Sequence, residues 1–167
     1  MTPVPRRALV FHVGGVEFVL RPGGLLLFGS IAAVLDVAYL PLALPGQPAP
    51  TYHLAALVMV LCMVVATLIH ESGHAIAYRL QGIWPVRITL RSSGGACAAM
   101  VYEDTPGRAL IRALAGPAAT ALVVGVLVGI WHLQALPALW RLVAATLAIF
   151  GAFDFTFNTL PVVARSD

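Results

Sequence analysis

His70 and His74 stand four residues apart, with Glu71 beside the first, in the run His70-Glu71-Ser72-Gly73-His74. On a helix that spacing puts both imidazoles on one face, at a separation suited to sharing one Zn²⁺. It also puts a carboxylate where it can take a proton from metal-bound water, which is the chemistry of hydrolysis. The plainer reading is two helix histidines satisfied by hydrogen bonds. The setting of the motif decides how much weight each reading gets.

The motif needs a helix, and the sequence supplies an unusual one. Leu54 to Ile69 is a continuous apolar run that leads into His70, and no proline breaks the pattern before about Leu80. A soluble zinc protease would not bury its metal motif behind such a run. The whole chain agrees: its 167 residues are 60% hydrophobic and 10% charged, where soluble domains carry about 25% charged residues. The surplus apolar surface must face lipid. Four stretches are long enough to span a bilayer, at about residues 25–44, 54–80, 110–131 and 140–160. The expected fold is therefore an all-α polytopic membrane protein, one core unit over 1–167, with short β-hairpins at about 8–21 and 86–102.

The hairpins have separate signals. Gly14-Gly15 divides two β-branched and aromatic runs. Val86 to Arg91 alternates with period two, and a Ser/Gly turn at 92–95 follows. The second hairpin directly follows the motif helix, so its edge could receive an extended peptide as an added strand; the alternative is a plain connection. Asp36 is an acid inside the first span, expected to be a packed carboxyl or part of a proton path. Gly125 and Gly129 form a GxxxG that would allow close helix approach. Arg112 is expected to snorkel to the interface, and His12 and His132 to be surface residues. Cys62 and Cys97 have no metal-type spacing and are expected as free thiols.

All ten basic residues are Arg, and they mark one side. They cluster in the N-terminal segment, between the second and third spans, and after the fourth; Arg141 alone goes against the trend. The positive-inside rule gives both termini and the motif end of the second span to the cytoplasm. The arginines form no nucleic-acid-like patch. The composition fits a multi-pass protein of a bacterial cell membrane. In that topology Asp154, Asn158 and Asp167, at the end of the fourth span, reach the depth of His70 and His74. No cleaved signal peptide is expected.

With these residues in place the chain resembles the site-2 protease family of intramembrane zinc metalloproteases. The resemblance rests on His70-Glu71-Ser72-Gly73-His74 in a membrane helix, on Ala115-Gly116-Pro117 opening the next span, and on Phe157-Asn158-Thr159-Leu160-Pro161. It implies Zn²⁺ as cofactor and a transmembrane protein substrate cleaved in or near its membrane segment, in regulated intramembrane proteolysis. Glu71 would be the general base, and Asn158 would donate a hydrogen bond to the substrate backbone or oxyanion. His70, His74 and a later Asp would be the metal ligands. That Asp would be Asp167, with Asp154 as the alternative. The family usually has Leu-Asp-Gly at this point, whereas Asp167 follows Ser166 and no Gly comes after it. The departure fits a truncated chain or an unusual site.

Two other classes remain open. A zinc transporter would want polar ligands across the whole bilayer, but here they gather at one end. A catalytically inactive or truncated homologue would act as a membrane metal-binding or partner-binding protein. Nothing in the sequence fixes the oligomeric state.

Overall fold

Gly14 and Gly15 both take positive φ, 56° and 79°, and turn the chain between β1 (Leu9–Val13) and β2 (Val16–Leu20). A two-residue turn of that kind matches the twist of the strands it joins, and only glycine enters it without strain. This computed structural model describes residues 8–101, 105–132 and 136–159, with the backbone alone at 157–159. The terminal Asp167 lies outside the described residues.

Pro22 then starts α1 (Pro22–Val34), where its missing N–H costs nothing. A π-helical turn (Leu35–Tyr39) and α2 (Leu40–Ala43) complete the first span. The π turn carries Asp36, whose carboxylate oxygens lie 2.7 and 2.8 Å from His53 Nδ1. Asp36 is thus partnered at the start of the next helix. That partner, His53, is 17 positions before His70 along that helix, or about 25 Å at 1.5 Å per residue. A packed and paired carboxyl is what the first span contains.

The motif helix is α3 (Ala49–Leu80), 32 residues long. It stops where Gly82 takes φ 75°. There Gly82 N–H donates to Arg79 O, and Ile83 N–H to Tyr78 O. These two bonds close the helix end by satisfying carbonyls that have no helical partner. Trp84 lies just beyond, with the Arg79 guanidinium 4.3 Å from its ring centre.

The second hairpin, β3 (Val86–Arg91) and β4 (Gly94–Ala99), does not stand alone. β3 pairs with β2 in parallel, so the two hairpins merge into one sheet of order β1-β2-β3-β4. Glu17 and Arg87 are direct neighbours across the parallel pair, and Arg87 Nε donates to Glu17 Oε2 at 2.6 Å. The connection between these parallel strands is the first two spans. The start of α1 and the end of α3 therefore share one side, and the sheet closes that side. Val16, Val86 and Ile88 pack from the sheet onto Ala75 of α3.

The third and fourth spans are α4 (Pro106–Trp131) and α5 (Ala138–Thr159). Thr105 caps α4 by accepting from Arg108 N–H. Ala115-Gly116-Pro117 does not open this helix, as its proline suggests; it lies well inside, with Pro117 buried. Among the described residues four helices are long and apolar enough to cross a membrane, and the chain has the build of a multi-pass membrane protein. Most of their apolar surface faces outward, as lipid contact requires.

Helix contact is made by glycines other than the expected pair. A Cβ on Gly125 or Gly129 would meet nothing within 4 Å, so their GxxxG faces away from the other spans. A Cβ on Gly73 would instead collide with the Ala115 carbonyl of α4, and one on Gly151 would come within 2.7 Å of Val124 Cγ2. In lipid, where helices gain no hydrophobic attraction, such close approach is a main source of association. Gly73→Leu should destabilise the folded protein by about 1–3 kcal/mol through forced separation of α3 from α4. Thermal unfolding in detergent, compared with Gly129→Leu, checks this; equal effects would contradict the assigned contact.

Candidate metal centre

His70 and His74 sit in the last third of α3, and their Nε2 atoms are 3.2 Å apart. His74 Nδ1 lies 2.6 Å from the carbonyl oxygen of Arg112 on α4. A carbonyl can only accept, so Nδ1 carries the proton and Nε2 carries a lone pair. His70 Nδ1 lies 2.6 Å from Thr120 Oγ1, also on α4. When its proton too is on Nδ1, two lone pairs face each other and call for a cation between them. Two nitrogens about 2.0–2.1 Å from a tetrahedral zinc would be about 3.3 Å apart. The observed spacing fits that, and each Nδ1 has the outer oxygen partner that metal-binding imidazoles use.

Room for this arrangement comes from α4. A Cβ on Gly116 would run into the His74 imidazole. Pro117 adds a second local effect, since it has no N–H for the preceding turn of the helix. The carbonyl it leaves without a helical donor is that of Ala113, next to Arg112, whose own carbonyl holds His74. The Arg112 side chain does not snorkel to the interface. It is 6% exposed, lies over the Tyr78 ring at 5.2 Å, and donates through Nη1 to Gln81 Oε1. Gln81 also joins the backbone of α4 through Arg108, so the end of α3 and the start of α4 are tied just beside the histidines.

Glu71 is 6% exposed and packs under the second hairpin. A Cβ on Gly95 of β4 would be 2.5 Å from Glu71 Oε1 and 2.8 Å from Thr67 Cγ2. The Cys97 backbone N–H is directed at the same carboxylate. Cys97 itself is a free thiol, as is Cys62. Burial, and then the neighbouring Glu71 charge, push the Cys97 pKa up to about 12, so it is not a thiolate at neutral pH.

Two cavities meet at the His70–Glu71–Gly95 contact. One, of about 440 Å³, is lined by His70, Glu71, His74, Tyr78, Arg112 and β4 residues Gly95 to Cys97. The other, of about 380 Å³, runs between α1, the Ser92–Gly95 turn and α5, and is lined by Phe28, Thr67, Phe150 and Asp154 among others. His70 and Glu71 are therefore reachable from both sides of the hairpin, and His74 from one.

Among the remaining site candidates, Asp154 Oδ2 lies 3.5 Å from His70 Nδ1, the ring nitrogen that Thr120 also meets. Asn158 falls on the last turn of α5, where the backbone alone is described, and Asp167 falls outside. Among the described residues no three His, Cys, Asp or Glu side chains are grouped to hold one ion. Thr120, the Arg112 carbonyl and Gly95 were not legible as site residues. Each acts from a distant stretch, and none has a spacing relation to the motif.

No family model matches the chain. Among solved structures it resembles the Site-2 Protease from Methanocaldococcus jannaschii, with a TM-score of 0.55 and 18% identity, over 88% of this chain and 63% of that one. The chain has the fold of the site-2 proteases. A curated relative from Synechocystis sp. (strain ATCC 27184 / PCC 6803 / Kazusa) points the same way. Its name is "Putative zinc metalloprotease sll0528", and it is 29% identical over 111 residues, 65% of this chain and 28% of its own length. The likenesses of fold and of sequence together support the site-2 protease family. The chain matches less than two thirds of either relative's length. Within the site-2 protease fold, the His70–His74 pair lies at the junction of membrane helices and sheet.

Proposed function

We propose that this chain is an intramembrane zinc metalloendopeptidase, cleaving a peptide bond in or near a transmembrane segment of a membrane protein. The observation that carries the reading is the pair of Nε2 atoms 3.2 Å apart, with both Nδ1 atoms bonded to oxygens of α4. His70 and His74 would hold Zn²⁺ together with a carboxylate, for which Asp167 is the sequence candidate. When bound, the ion supplies Lewis acidity to water and to the scissile carbonyl.

The chain's own residues supply the rest. Glu71, adjacent to His70 and facing both cavities, takes a proton from the attacking water and delivers it to the leaving amine. Asn158 donates to the substrate backbone or the developing oxyanion. A helical substrate has its peptide groups internally paired and must unwind to be cut. β4 is the last strand of the sheet and passes directly beside Glu71, so an extended substrate added to it would lie against the base. The arginine distribution favours a topology with the site and both termini toward the cytoplasm, and the Ala/Arg-rich, Lys-free composition favours a bacterial cell membrane. A role in regulated intramembrane proteolysis fits this reading.

Metal content tests it. Detergent-purified parent should hold one zinc per chain, and His74→Ala should lose it, with affinity lower by about 100-fold or more. Chelation should stop cleavage of co-expressed membrane substrates, and added zinc should restore it. Equal zinc in parent and His74→Ala would leave the histidines as an ordinary hydrogen-bonded pair. Zinc without cleavage of any membrane substrate would favour a metal-binding, catalytically inactive homologue.

A further inference from the structure

The two imidazoles are held in different ways. His74 Nδ1 is fixed by a main-chain carbonyl, a partner no substitution removes. His70 Nδ1 is held by side chains from two helices, with Thr120 Oγ1 at 2.6 Å from α4 and Asp154 Oδ2 at 3.5 Å from α5. The histidine ring is nearly buried, at 6% side-chain exposure, while the carboxylate is 39% exposed and lines the cavity against α1 and the hairpin turn.

The packing of α5 accounts for this meeting. Gly151 lies three residues before Asp154, so the two share a face of the helix. A Cβ at Gly151 would be 2.7 Å from Val124 Cγ2 and 4.0 Å from Thr120 Cγ2. Only a residue without a side chain lets α5 come this close to α4. The same approach brings the carboxylate of α5 to the imidazole of α3, past the hydroxyl of α4.

From this juxtaposition we propose that Asp154 is a positioning residue for the metal centre, acting through His70 and not as a ligand. An imidazole that coordinates through Nε2 keeps its one proton on Nδ1. Thr120 accepts that proton, and the Asp154 charge beside the same nitrogen favours keeping it there. The ring is thereby locked in the tautomer and orientation that present Nε2 to the ion. The carboxylate also makes the ring a stronger donor, the known effect of an acid behind a ligating histidine. Asp154 approaches the ring at Nδ1, the nitrogen that Thr120 also holds, whereas the two Nε2 atoms face each other. The proposal deepens the metalloprotease reading and depends on it.

Cobalt(II) titration of the full chain in detergent tests the proposal without relying on activity. The parent and Asp154→Asn are compared for Co²⁺ affinity and for the visible band that reports the ligand set. The expected result is a Kd raised roughly 10–100-fold with an unchanged band. Thr120→Val should raise Kd as well, and the double variant should lose less than the sum, because both act on one nitrogen. An unchanged Kd in Asp154→Asn would overturn the proposal. So would a shifted or weakened band, which would make Asp154 a ligand, and so would strictly additive losses. If Asp154→Asn does not fold, Gly151→Ala, which keeps the carboxylate but pushes α5 outward, should show the same raised Kd and unchanged band; parent-like Kd there would overturn it. If the parent takes no Co²⁺, or His74→Ala takes it equally well, the metal-site reading fails and this inference fails with it. A parent that binds through His74 isolates the Asp154 question.

Discussion

Glu71→Gln is expected to keep its zinc and to lose peptide cleavage by about 10²–10⁴-fold. The carboxamide has the shape of the carboxylate, so its packing against Gly95 under the hairpin survives. His70 and His74 keep their outer partners, Thr120 and the Arg112 carbonyl, which do not involve Glu71. What disappears is the ability to take a proton from water and return it to the amine. An amide does neither near neutral pH. Asp154 lies 3.5 Å from His70 Nδ1, where the proposed role is to hold the ring and not to serve as base. The experiment measures metal stoichiometry and cleavage of a co-reconstituted membrane substrate on the same preparations. Cleavage at the parent rate would refute Glu71 as the base, and loss of zinc would make it a ligand or a structural residue.

The parts of this molecule that were legible in the sequence are those with a local period. Apolar runs of spanning length gave the four membrane helices, and the structure has them at nearly the expected bounds. Gly14-Gly15 and the alternation from Val86 to Arg91 gave the two hairpins. The parallel pairing of β2 with β3 had no local signature, because it depends on two whole spans bringing their ends to the same side. Arg112 reads as an interfacial arginine in any one-dimensional view. Only the fold shows its guanidinium buried over Tyr78 and its carbonyl turned to His74. Gly125 and Gly129 have the spacing for close packing, yet spacing cannot say which face of α4 meets a neighbour, and theirs meets none among the described residues. The site was half visible for the same reason. The histidines and Glu71 are four residues or fewer apart, but the oxygens that orient the two rings come from 50 and 38 positions away.

Gly95→Val is expected to lower cleavage by about 100-fold or more while leaving zinc in place. Placing a reacting group about 1 Å out of position costs that much. Here the added Cβ alone would meet Glu71 Oε1 at 2.5 Å, Glu71 Cγ at 2.8 Å and Thr67 Cγ2 at 2.8 Å. Either the base swings away from the histidines or β4 lifts off α3, and both separate Glu71 from an extended substrate on that strand. Strand propensity cannot explain the loss, since valine favours a strand more than glycine does. Zinc should be unaffected because the imidazoles are oriented from α4 and α5, while the atoms nearest the added Cβ belong to Glu71 and Thr67. The control is Ala98→Val in the same strand, at an exposed position where extra bulk meets water or lipid. It should cleave within a few-fold of the parent. If the two valine variants cleaved alike, β4 would be a connecting strand with no part in holding substrate against the base. If Gly95→Val lost its zinc, the hairpin would instead be part of what shapes the metal centre.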